Sequence, residues 1–366
     1  MSKYLYSLGL MSGTSVDGVD ASIIKSDGEQ SLEIIDDIYV KYDDHFRMKL
    51  KKTIDSCYSK DEFNNLSNSI KDIEKEITLF HDQACKLIIK KNRNIKIDII
   101  GFHGQTILHK PQEGYSIQIG DSKLLSKLTN TTVVSNFREN DILNGGQGAP
   151  LSSLYHHLIL SKIKSNLPSA VVNIGGISNI TYVENENKIK SFDTGPGNYL
   201  IDKWVKMNSK MEFDDKGQLA KSGKSNEIIL EKFLSNQYYK KKLPKSLDVK
   251  DFNLNGLSKL SLEDGCATLS MFTVKSICMA INSFSINPNK ILFSGGGRKN
   301  DFIITNIKKI IKESIHLIDE FNFDGDFIES QAFAYLAIRS YLKKFITFPT
   351  TTGAKKPSLG GTIFKS

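Results

Sequence analysis

The 366-residue sequence predicts a mixed α/β fold whose two halves begin with the same hairpin pattern. Short apolar runs typical of strands alternate with longer segments in which apolar residues recur every three or four positions, as in helices. A pattern of apolar strand, glycine-bearing turn and second apolar strand occurs at residues 8–24 and again at residues 170–182. Strands mixed with long helices are typical of the α/β class, and a chain of this length is expected to form two domains.

In the first half, Phe46, Leu50 and Ile54 recur at helical spacing with charged residues between them, so helical structure is predicted over residues 45–92. Apolar runs bounded by polar residues predict the strands. The other predicted elements of this half are strands at residues 4–10, 20–26, 32–40, 95–101, 116–120 and 132–135, and helices at residues 122–129 and 151–161.

The second half begins with the hairpin of residues 170–182. A buried strand at residues 290–294 is expected to enter a helix that continues to about residue 314, with a glycine turn between them. Pro244 and Gly256 favour an irregular loop over residues 243–261. Further helices are predicted at residues 226–242, 262–284 and 329–343.

Composition excludes several classes of protein. Hydrophobic residues make up 39% and charged residues 25% of the chain, as in soluble globular proteins. The apolar run of residues 4–10 is too short for a signal peptide, and no run of about 18 apolar residues predicts a membrane span. The four cysteines form no C-x-x-C pair, which argues against a zinc site or a disulfide framework and favours a reduced, cytoplasmic protein.

The net charge of +8 could attract a polyanion such as nucleic acid. The lysines are scattered, however, and aromatic residues do not alternate with them. A solvated, lysine-rich surface is therefore the favoured interpretation, with neither nucleic acid nor a membrane as a partner. Such a surface also suits a small anionic substrate.

The turn at residues 12–18 is rich in Gly, Ser, Thr and Asp. Glycines let several N–H groups face one anion, hydroxyls add donors, and carboxylates can hold a metal that neutralises phosphate. No Lys follows the glycines, and the next segment is strand-like, so the turn is neither a P-loop nor a dinucleotide fingerprint. An ordinary polar hairpin is the alternative, and the density of functional residue types favours phosphate binding.

Glycine-bearing polar turns are also predicted after strands at residues 101–106, 174–179 and 294–298. In α/β folds, ligands bind where such loops gather at strand ends. Residues 294–300 suit a nucleotide, because glycines let a flat base or ribose approach the backbone. A plain strand-to-helix turn is the alternative there.

Asp193 follows a short strand-like stretch and precedes Gly195 and Gly197. It could act as a general base, although an isolated Asp-Thr-Gly is more often a turn. A helix start near Asn198 would present N–H groups to an anion. Arg138 and Asp141, close in sequence to a glycine-rich stretch, could clamp a polar substrate or form a surface ion pair with each other.

The motifs occur in a specific order, and together they resemble the anhydro-N-acetylmuramic acid kinases. These enzymes belong with the actin-like ATPases, hexokinases and heat-shock ATPase domains. The resemblance covers nearly the whole chain, and every motif in it is modest when taken alone. The matching segments are residues 9–20, 104–106, 118–121, 137–138, 145–151, 173–179, 192–198, 294–297, 352–354 and 359–360, and Glu329 with residues 332–334.

The resemblance implies a two-lobed, actin-like ATPase (ribonuclease H-like) fold with a central cleft for ATP and sugar. The expected lobes are residues 1–131 and 132–350, with residues 351–366 returning to the first lobe. Asp193 aligns with the catalytic base, and Asp17 and Asp20 are candidates to bind Mg²⁺ through water. The implied ATP-binding residues are Gly13, Thr14, Ser15, Val16, Asp17, Gly18, Val19, Asp20, Asn173, Gly175, Gly176, Gly195, Gly295, Gly296 and Gly297. The implied substrate-binding residues are His103, Gln105, Arg138, Gln147 and Glu329.

The implied reaction uses ATP to open 1,6-anhydro-N-acetylmuramic acid and to phosphorylate O6, in cell-wall recycling, by a cytoplasmic homodimer. A conventional sugar kinase and a nonenzymatic ATP-driven binding protein are the alternatives, and the retained Asp193 argues against the second. The sequence departs from the family pattern at Val16, where Met is commoner, and at Ser330, where Ala is usual. It departs most at residues 245–250, where a Gly and an Arg are missing.

Overall fold

The computed structural model describes residues 4–366, without the side chains of residues 67 and 68. It divides into two compact units. The first comprises the chain up to Lys162 together with Phe327–Ser366, and the second is Ile163–Asp326. The strands are β1 (Leu5–Ser12), β2 (Gly18–Ser26), β3 (Leu32–Lys41), β4 (Ile99–Lys110), β5 (Tyr115–Ile119), β6 (Thr132–Ser135), β7 (Ser169–Ile174), β8 (Ile177–Asn185), β9 (Lys188–Pro196), β10 (Lys290–Ser294), β11 (Ser314–Leu317) and β12 (Thr362–Phe364).

The helices cover the segments in which apolar residues recur at helical spacing. None of them, within residues 4–366, is long and apolar enough to cross a bilayer. They are α1 (Asp44–Ser56), α2 (Lys60–Asn65), α3 (Ser67–Lys91), α4 (Ser122–Thr129), α5 (Glu139–Leu143), α6 (Ser153–Lys162), α7 (Tyr199–Asn208), α8 (Gln218–Ser222), α9 (Glu227–Leu234), α10 (Leu262–Ile281), α11 (Asp301–Ile310), α12 (Ile328–Tyr341) and α13 (Pro349–Thr352).

The two units contain sheets with the same strand order. In the seven-stranded sheet of the first unit, β1, β2 and β3 form an antiparallel meander, and β4 and then β6 add in parallel on the other side of β1. In the five-stranded sheet of the second unit, β7, β8 and β9 form the meander, and β10 and β11 add in parallel beside β7. This order is the ribonuclease H-like arrangement, so the predicted fold class and its two halves are confirmed.

Two glycines let α12 lie directly against the first sheet. A Cβ on Gly9 of β1 would lie 1.9 Å from the carbonyl oxygen of Ser330, and one on Gly101 of β4 would lie 2.2 Å from that of Phe333. The backbone of α12 therefore contacts the strands with no side chain between them. The Ser330 hydroxyl forms a 2.6 Å hydrogen bond with Ser22 of β2, which satisfies the polar group that replaces the usual Ala.

The division between the units differs from the predicted lobes. Strand β6 pairs with β4, and α12 packs on β1, β2 and β4, so residues 132–162 and 327–350 belong with the first unit and not with the second. The chain thus leaves the first unit later than expected and returns to it earlier. At the C-terminal end, β12 pairs antiparallel with β6 in the same unit.

Four local predictions were wrong. The helix predicted over residues 226–242 ends at Leu234, and a separate 3-10 turn follows at Gln237–Lys240. Residues 101–106 do not form a turn, because buried Ile107 and Leu108 continue β4 to Lys110, with a left-handed Gly104 inside the strand. Asp193 lies within β9 and not after a strand. The predicted helix ending near residue 314 stops at Ile310, and β11 follows because its residues pair with β10.

Candidate active site

The turn of residues 13–17 joins β1 to β2 in the first unit. Thr14 and Ser15 are exposed at its tip, and the direction in which a Cβ would point from Gly13 is open, with the nearest atom, Ser15 Oγ, at 3.9 Å. The turn closes through a hydrogen bond from the Val16 N–H to the Gly13 carbonyl, at 3.2 Å. An exposed turn with hydroxyls and little side-chain bulk fits a phosphate group.

A chain of buried side chains holds the start of this turn. Tyr42 Oη donates to Ser12 Oγ at 2.8 Å, and Ser12 Oγ donates to Gln105 Oε1 at 2.7 Å. Gln105 Nε2 in turn donates to the Gly13 carbonyl at 3.2 Å. Each of these three side chains is almost completely buried. Gln105, which the family resemblance assigns to substrate, therefore supports the turn of residues 13–17.

Val16 has a left-handed backbone, with φ of 53°, although it is β-branched. Such residues rarely adopt this conformation, so the position is strained. Its side chain is buried in the core of the unit, and Arg47 Nε donates to its carbonyl at 3.1 Å. Core packing and the Arg47 contact hold the residue in place.

Asp17 and Asp20 lie at the base of the same hairpin. Ser15 Oγ donates to Asp17 Oδ1 at 2.6 Å, and the Asp17 carbonyl accepts from the Tyr42 N–H. Burial raises the pKa of Tyr39, and the charges of both aspartates raise it further, so the carboxylates create a negative field there. Carboxylate oxygens beside a phosphate turn fit a Mg²⁺ ion that keeps its water and shares phosphate oxygens. No set of three or more His, Cys, Asp and Glu in the described part of the chain could hold a metal by itself.

His103 on β4 and Arg138 contact each other in the first unit. Arg138 donates to His103 Nε2 through Nε at 3.1 Å and Nη2 at 2.9 Å, and it donates to the Gly148 carbonyl through Nη1 at 2.8 Å. Burial and the guanidinium lower the pKa of His103 well below its usual value. The ring is therefore neutral, and its Nδ1–H donates to the Gly104 carbonyl at 2.8 Å.

Glu329, in the first turn of α12, lies within electrostatic range of Arg138. Burial raises the pKa of this carboxyl group, and Arg138 opposes the rise. His103, Arg138 and Glu329 were all expected to bind substrate, and the structure brings them together. Of these three, His103 is hydrogen-bonded to Arg138, and it supports the guanidinium.

Asp141, which was expected to clamp a polar substrate together with Arg138, instead organises the glycine-rich stretch after Arg138. Its Oδ2 accepts from the Gly148 N–H at 2.7 Å, and its Oδ1 accepts from Thr352 Oγ1 at 2.6 Å. The expected substrate residue Gln147 is tied to the same place, because its N–H donates to the Thr352 carbonyl at 2.7 Å. An acidic residue near several glycines was the available signal for Asp141.

In the second unit, the turn Gly175–Gly176 joins β7 to β8. The N–H groups of Gly197 and Asn198 donate to the carbonyls of Gly176 and Gly175 at 2.9 and 2.8 Å. These N–H groups at the start of α7 are thus engaged by the turn, contrary to the expectation that they would face an anion. A Cβ on Gly175 would have its nearest neighbour, the Ile177 carbonyl oxygen, at 3.4 Å, so the outer side of the turn can approach a ligand closely.

The turn at Gly295–Gly297 follows β10 and lies against the end of β7, just before the turn Gly175–Gly176. A Cβ on Gly295 would lie 2.3 Å from Asn173 Oδ1, and one on Gly297 would lie 2.2 Å from Ile174 Cγ2. Gly296 is exposed, and a Cβ there would have no atom nearer than 3.9 Å. The expected ATP-binding residues of this unit, apart from Gly195, therefore cluster, with Gly296 at the open side.

Arg298, which lies in the stretch expected to suit a nucleotide but was given no role of its own, fixes this turn. It is buried and forms a bidentate ion pair with Asp319, with both distances 2.7 Å. Its Nη1 donates to Asp326 Oδ1 at 2.5 Å and to the Gly295 carbonyl at 3.1 Å. The two carboxylates raise the already high pKa of Arg298, so the charge is permanent. Its place beside three glycines was the only signal in the sequence.

Asp193 is buried in β9, and contacts from residues 238–247 surround it. The Leu247 N–H donates to its Oδ2 at 2.8 Å, and its own N–H donates to the Lys245 carbonyl at 3.0 Å. Tyr238 Oη donates to the Asp193 carbonyl. A carboxylate held in this way can accept a proton at a defined position. Gly195 instead packs against α10, where a Cβ would lie 2.7 Å from Ser276 Oγ.

Comparison with known proteins places the chain in a family. The model of the family "Anhydro-N-acetylmuramic acid kinase" matches residues 5–366. The anhydro-N-acetylmuramic acid kinase of Pelagibacter ubique is 49% identical over 377 residues, an alignment that covers 100% of each chain. That of Zymomonas mobilis is 38% identical over 364 residues and covers 98% of this chain and 99% of the relative.

Among solved structures, component A of (R)-2-hydroxyglutaryl-CoA dehydratase from Acidaminococcus fermentans aligns with 92% of this chain and 99% of its own. The identity is 12% and the TM-score 0.43. The family model covers residues 5–366, and the two relatives are 49% and 38% identical to the chain over nearly its whole length. On those matches, the chain belongs to the anhydro-N-acetylmuramic acid kinase family.

Proposed function

We propose that this protein is an ATP-dependent kinase that converts 1,6-anhydro-N-acetylmuramic acid to N-acetylmuramic acid 6-phosphate. Water opens the 1,6-anhydro ring, and O6 receives the γ-phosphoryl group of ATP, which leaves ADP. Family membership supports the substrate and the reaction class. The reaction assigns the protein to cell-wall recycling and amino-sugar catabolism.

The observation that carries the chemistry is the buried carboxylate of Asp193, whose Oδ2 accepts from the Leu247 N–H. In our proposal, Asp193 takes a proton from water as the water oxygen bonds to the anomeric carbon. The bond between that carbon and O6 breaks, and the electron pair stays on O6. O6 then bonds to the γ-phosphorus as the bond to the ADP oxygen breaks, and Asp193 later releases its proton.

The phosphates of ATP are proposed to bind residues 13–20 and the glycine turns of the second unit, with the adenosine at Gly295–Gly297. Mg²⁺ would neutralise charge on the transferring phosphoryl group. Asp17 and Asp20 would hold it through water, since their carboxylates already lie beside the phosphate turn. This role is supported by the negative field at the hairpin and by the oxygen donors there.

Arg138 is our proposed partner for the lactyl carboxylate of the sugar. His103 and the Gly148 carbonyl fix its guanidinium, and a fixed guanidinium suits a planar carboxylate. Glu329, close to Arg138, would accept hydrogen bonds from sugar hydroxyls. Gln147 is proposed to act on the same substrate from the glycine-rich stretch.

The test is turnover of MgATP and 1,6-anhydro-N-acetylmuramic acid in ¹⁸O-labelled water, with mass analysis of the product. One label at C1 and a phosphate at O6 are expected. Phosphorylation of an ordinary hexose or amino sugar, with no reaction of the anhydro sugar, would make the protein a conventional sugar kinase.

Asp193→Asn is expected to bind ATP normally and to lose most of its turnover, because the amide cannot accept the proton. Loss of general base catalysis costs about 10²- to 10⁴-fold in rate. Steady-state kinetics and nucleotide titration would measure both quantities. Near-normal activity of the variant would refute the assignment of the base.

A homodimer in the cytoplasm, with no nucleic acid as partner, completes the proposal. The scattered lysines support the last point, and the family resemblance supports the dimer. Light scattering of the purified protein would decide the oligomeric state. A monomeric mass at micromolar concentration would contradict the dimer.

A further inference from the structure

The segment that fixes Asp193 is itself fixed by one tyrosine. Tyr238 is almost completely buried, and its Oη donates to the Asp193 carbonyl. Its own carbonyl accepts from Lys245 Nζ at 3.1 Å, and the ammonium lies 4.2 Å from the centre of the Tyr238 ring. Tyr238 therefore contacts β9 through its hydroxyl group and the loop of Lys245 through its ring and its carbonyl.

That loop carries the N–H group that reaches the carboxylate. Lys245, Ser246 and Leu247 are all buried, and the Leu247 N–H donates to Asp193 Oδ2 while the Lys245 carbonyl accepts from the Asp193 N–H. A shift of the loop would move a hydrogen bond to the carboxylate itself. The position of the proton acceptor thus depends on where Lys245 lies.

The use of an ammonium at this position has a cost. Burial lowers the pKa of Lys245 to about 8, so the fold disfavours the charged form there. An apolar side chain of similar length would fill the space without that cost. The ammonium interacts with the carbonyl and the aromatic face of Tyr238, and these two contacts fix the orientation of the Lys245 side chain.

We propose that Tyr238, together with the Lys245 ammonium, is a positioning residue for Asp193. The pair fixes the position of the loop of residues 245–247, and the loop fixes the position of the Asp193 carboxylate. The inference rests on the proposed role of Asp193 as base, and it adds the residues that hold the base in register. It also gives a function to the stretch where the sequence departs from the family pattern.

Tyr238→Phe removes the hydroxyl group and keeps the ring beneath the ammonium. A matched control exists in the same unit, since Tyr182 is also buried and its Oη donates to the Ile286 carbonyl at 2.8 Å. We expect kcat of Tyr238→Phe to fall by about 10- to 100-fold, as a displaced catalytic group does, with KM for ATP nearly unchanged. Tyr182→Phe should keep its kcat. Equal kcat values in the two variants would overturn the proposal.

Lys245→Met and Lys245→Arg test the cation. The Met variant should lose kcat to a similar extent, and the Arg variant, which keeps a charge over the ring, should recover part of it. Full turnover of the Met variant would overturn the role of the ammonium.

Hydrogen exchange at the Leu247 amide gives a readout that needs no substrate. Tyr238→Phe should accelerate this exchange by about tenfold relative to wild type, as loss of about 1.4 kcal/mol of local protection would. Tyr182→Phe should leave it unchanged. Identical exchange rates in Tyr238→Phe and Tyr182→Phe would refute the positioning role of Tyr238, whichever sugar the protein phosphorylates. Phosphorylation of a different sugar, with the exchange difference present, would refute only the proposed function.

Discussion

The two glycine-bearing hairpins, one in each unit, occupy the same place in the same strand order but are held by different means. Side chains hold the turn of residues 13–17, chiefly Gln105 from β4 and Tyr42 after β3, through Ser12. The backbone holds the turn Gly175–Gly176, through N–H groups at Gly197 and Asn198. The same strand order thus occurs with a hairpin turn held by side chains in one unit and by backbone hydrogen bonds in the other.

The difference predicts how each turn responds to substitution. Side-chain anchors can be removed one at a time, so the first turn should weaken in steps. The second turn depends on a backbone contact at Gly197, where a Cβ would lie 2.2 Å from the Gly175 carbonyl oxygen. Any side chain at Gly197 would therefore displace the Gly175 carbonyl. Because that carbonyl is part of the turn, the turn cannot be weakened in small steps.

The largest expected effect comes from Gly197→Ala. The new methyl group must push the Gly175 carbonyl away, so the turn shifts and turnover falls by about 100-fold. Overpacking should also lower the free energy of unfolding by about 1–3 kcal/mol. Steady-state kinetics and urea unfolding would measure these effects.

Gly256→Ala is the control for Gly197→Ala. Gly256 is in the same unit and has a left-handed backbone, but nothing lies within 4 Å of a Cβ there. It should cost some stability through strain and leave turnover unchanged. Equal turnover in both variants would show that the turn Gly175–Gly176 does not depend on its close backbone contact with Gly197.

A smaller effect is expected from Gln105→Leu. This change leaves the Gly13 carbonyl and the Ser12 hydroxyl without their bonds to Gln105, so the turn of residues 13–17, our proposed phosphate site, loosens. We expect KM for ATP to rise by about tenfold, which corresponds to about 1.4 kcal/mol. Tyr42→Phe, which removes only the outer bond of the chain, should raise KM by about threefold. An abrupt loss of ATP binding in Tyr42→Phe would show that the first turn is not anchored in steps.

The last expected effect is a change of stability with pH, and it concerns Lys245. Its folded pKa of about 8 lies below the ordinary value of 10.5, so the unfolded chain binds more protons between these two pH values. The stability of the wild type should therefore rise with pH between about 8 and 10.5, relative to Lys245→Met, by about 1–3 kcal/mol. Below pH 8 the difference should be constant.

Urea unfolding of both proteins at pH 7.5, 9 and 10 would measure that difference. If it does not change with pH, Lys245 is not a buried cation in solution.

Much of this molecule could be predicted from local pattern. The hairpin at residues 8–24 was predicted in the right place because glycines between apolar runs permit few other structures. Helix α4 at Ser122–Thr129 and strand β6 at Thr132–Ser135 have their predicted bounds, since their signals lie within the elements themselves. The order of the motifs was enough to identify the family.

Other features depend on residues that are far apart in the chain. The family resemblance assigned Gln105 to substrate, yet its partners are Ser12 and Gly13, which only the parallel pairing of β1 with β4 brings near. Asp193 was expected after a strand, and it lies inside β9 because pairing with β8 extends that strand to Pro196. No residue near Lys245 in sequence indicates that its carbonyl and the Leu247 N–H would reach β9.

By itself, then, the sequence determined the fold class, three of the four predicted glycine turns and the family, because these depend on residue types over short stretches. Only the tertiary structure decided which unit α12 joins, through the bare backbones of Gly9 and Gly101. It also decided which polar side chains support the turns and which remain candidates to touch a ligand. Hydrogen bonds between distant residues form only after the sheets have assembled, so no local pattern can specify them.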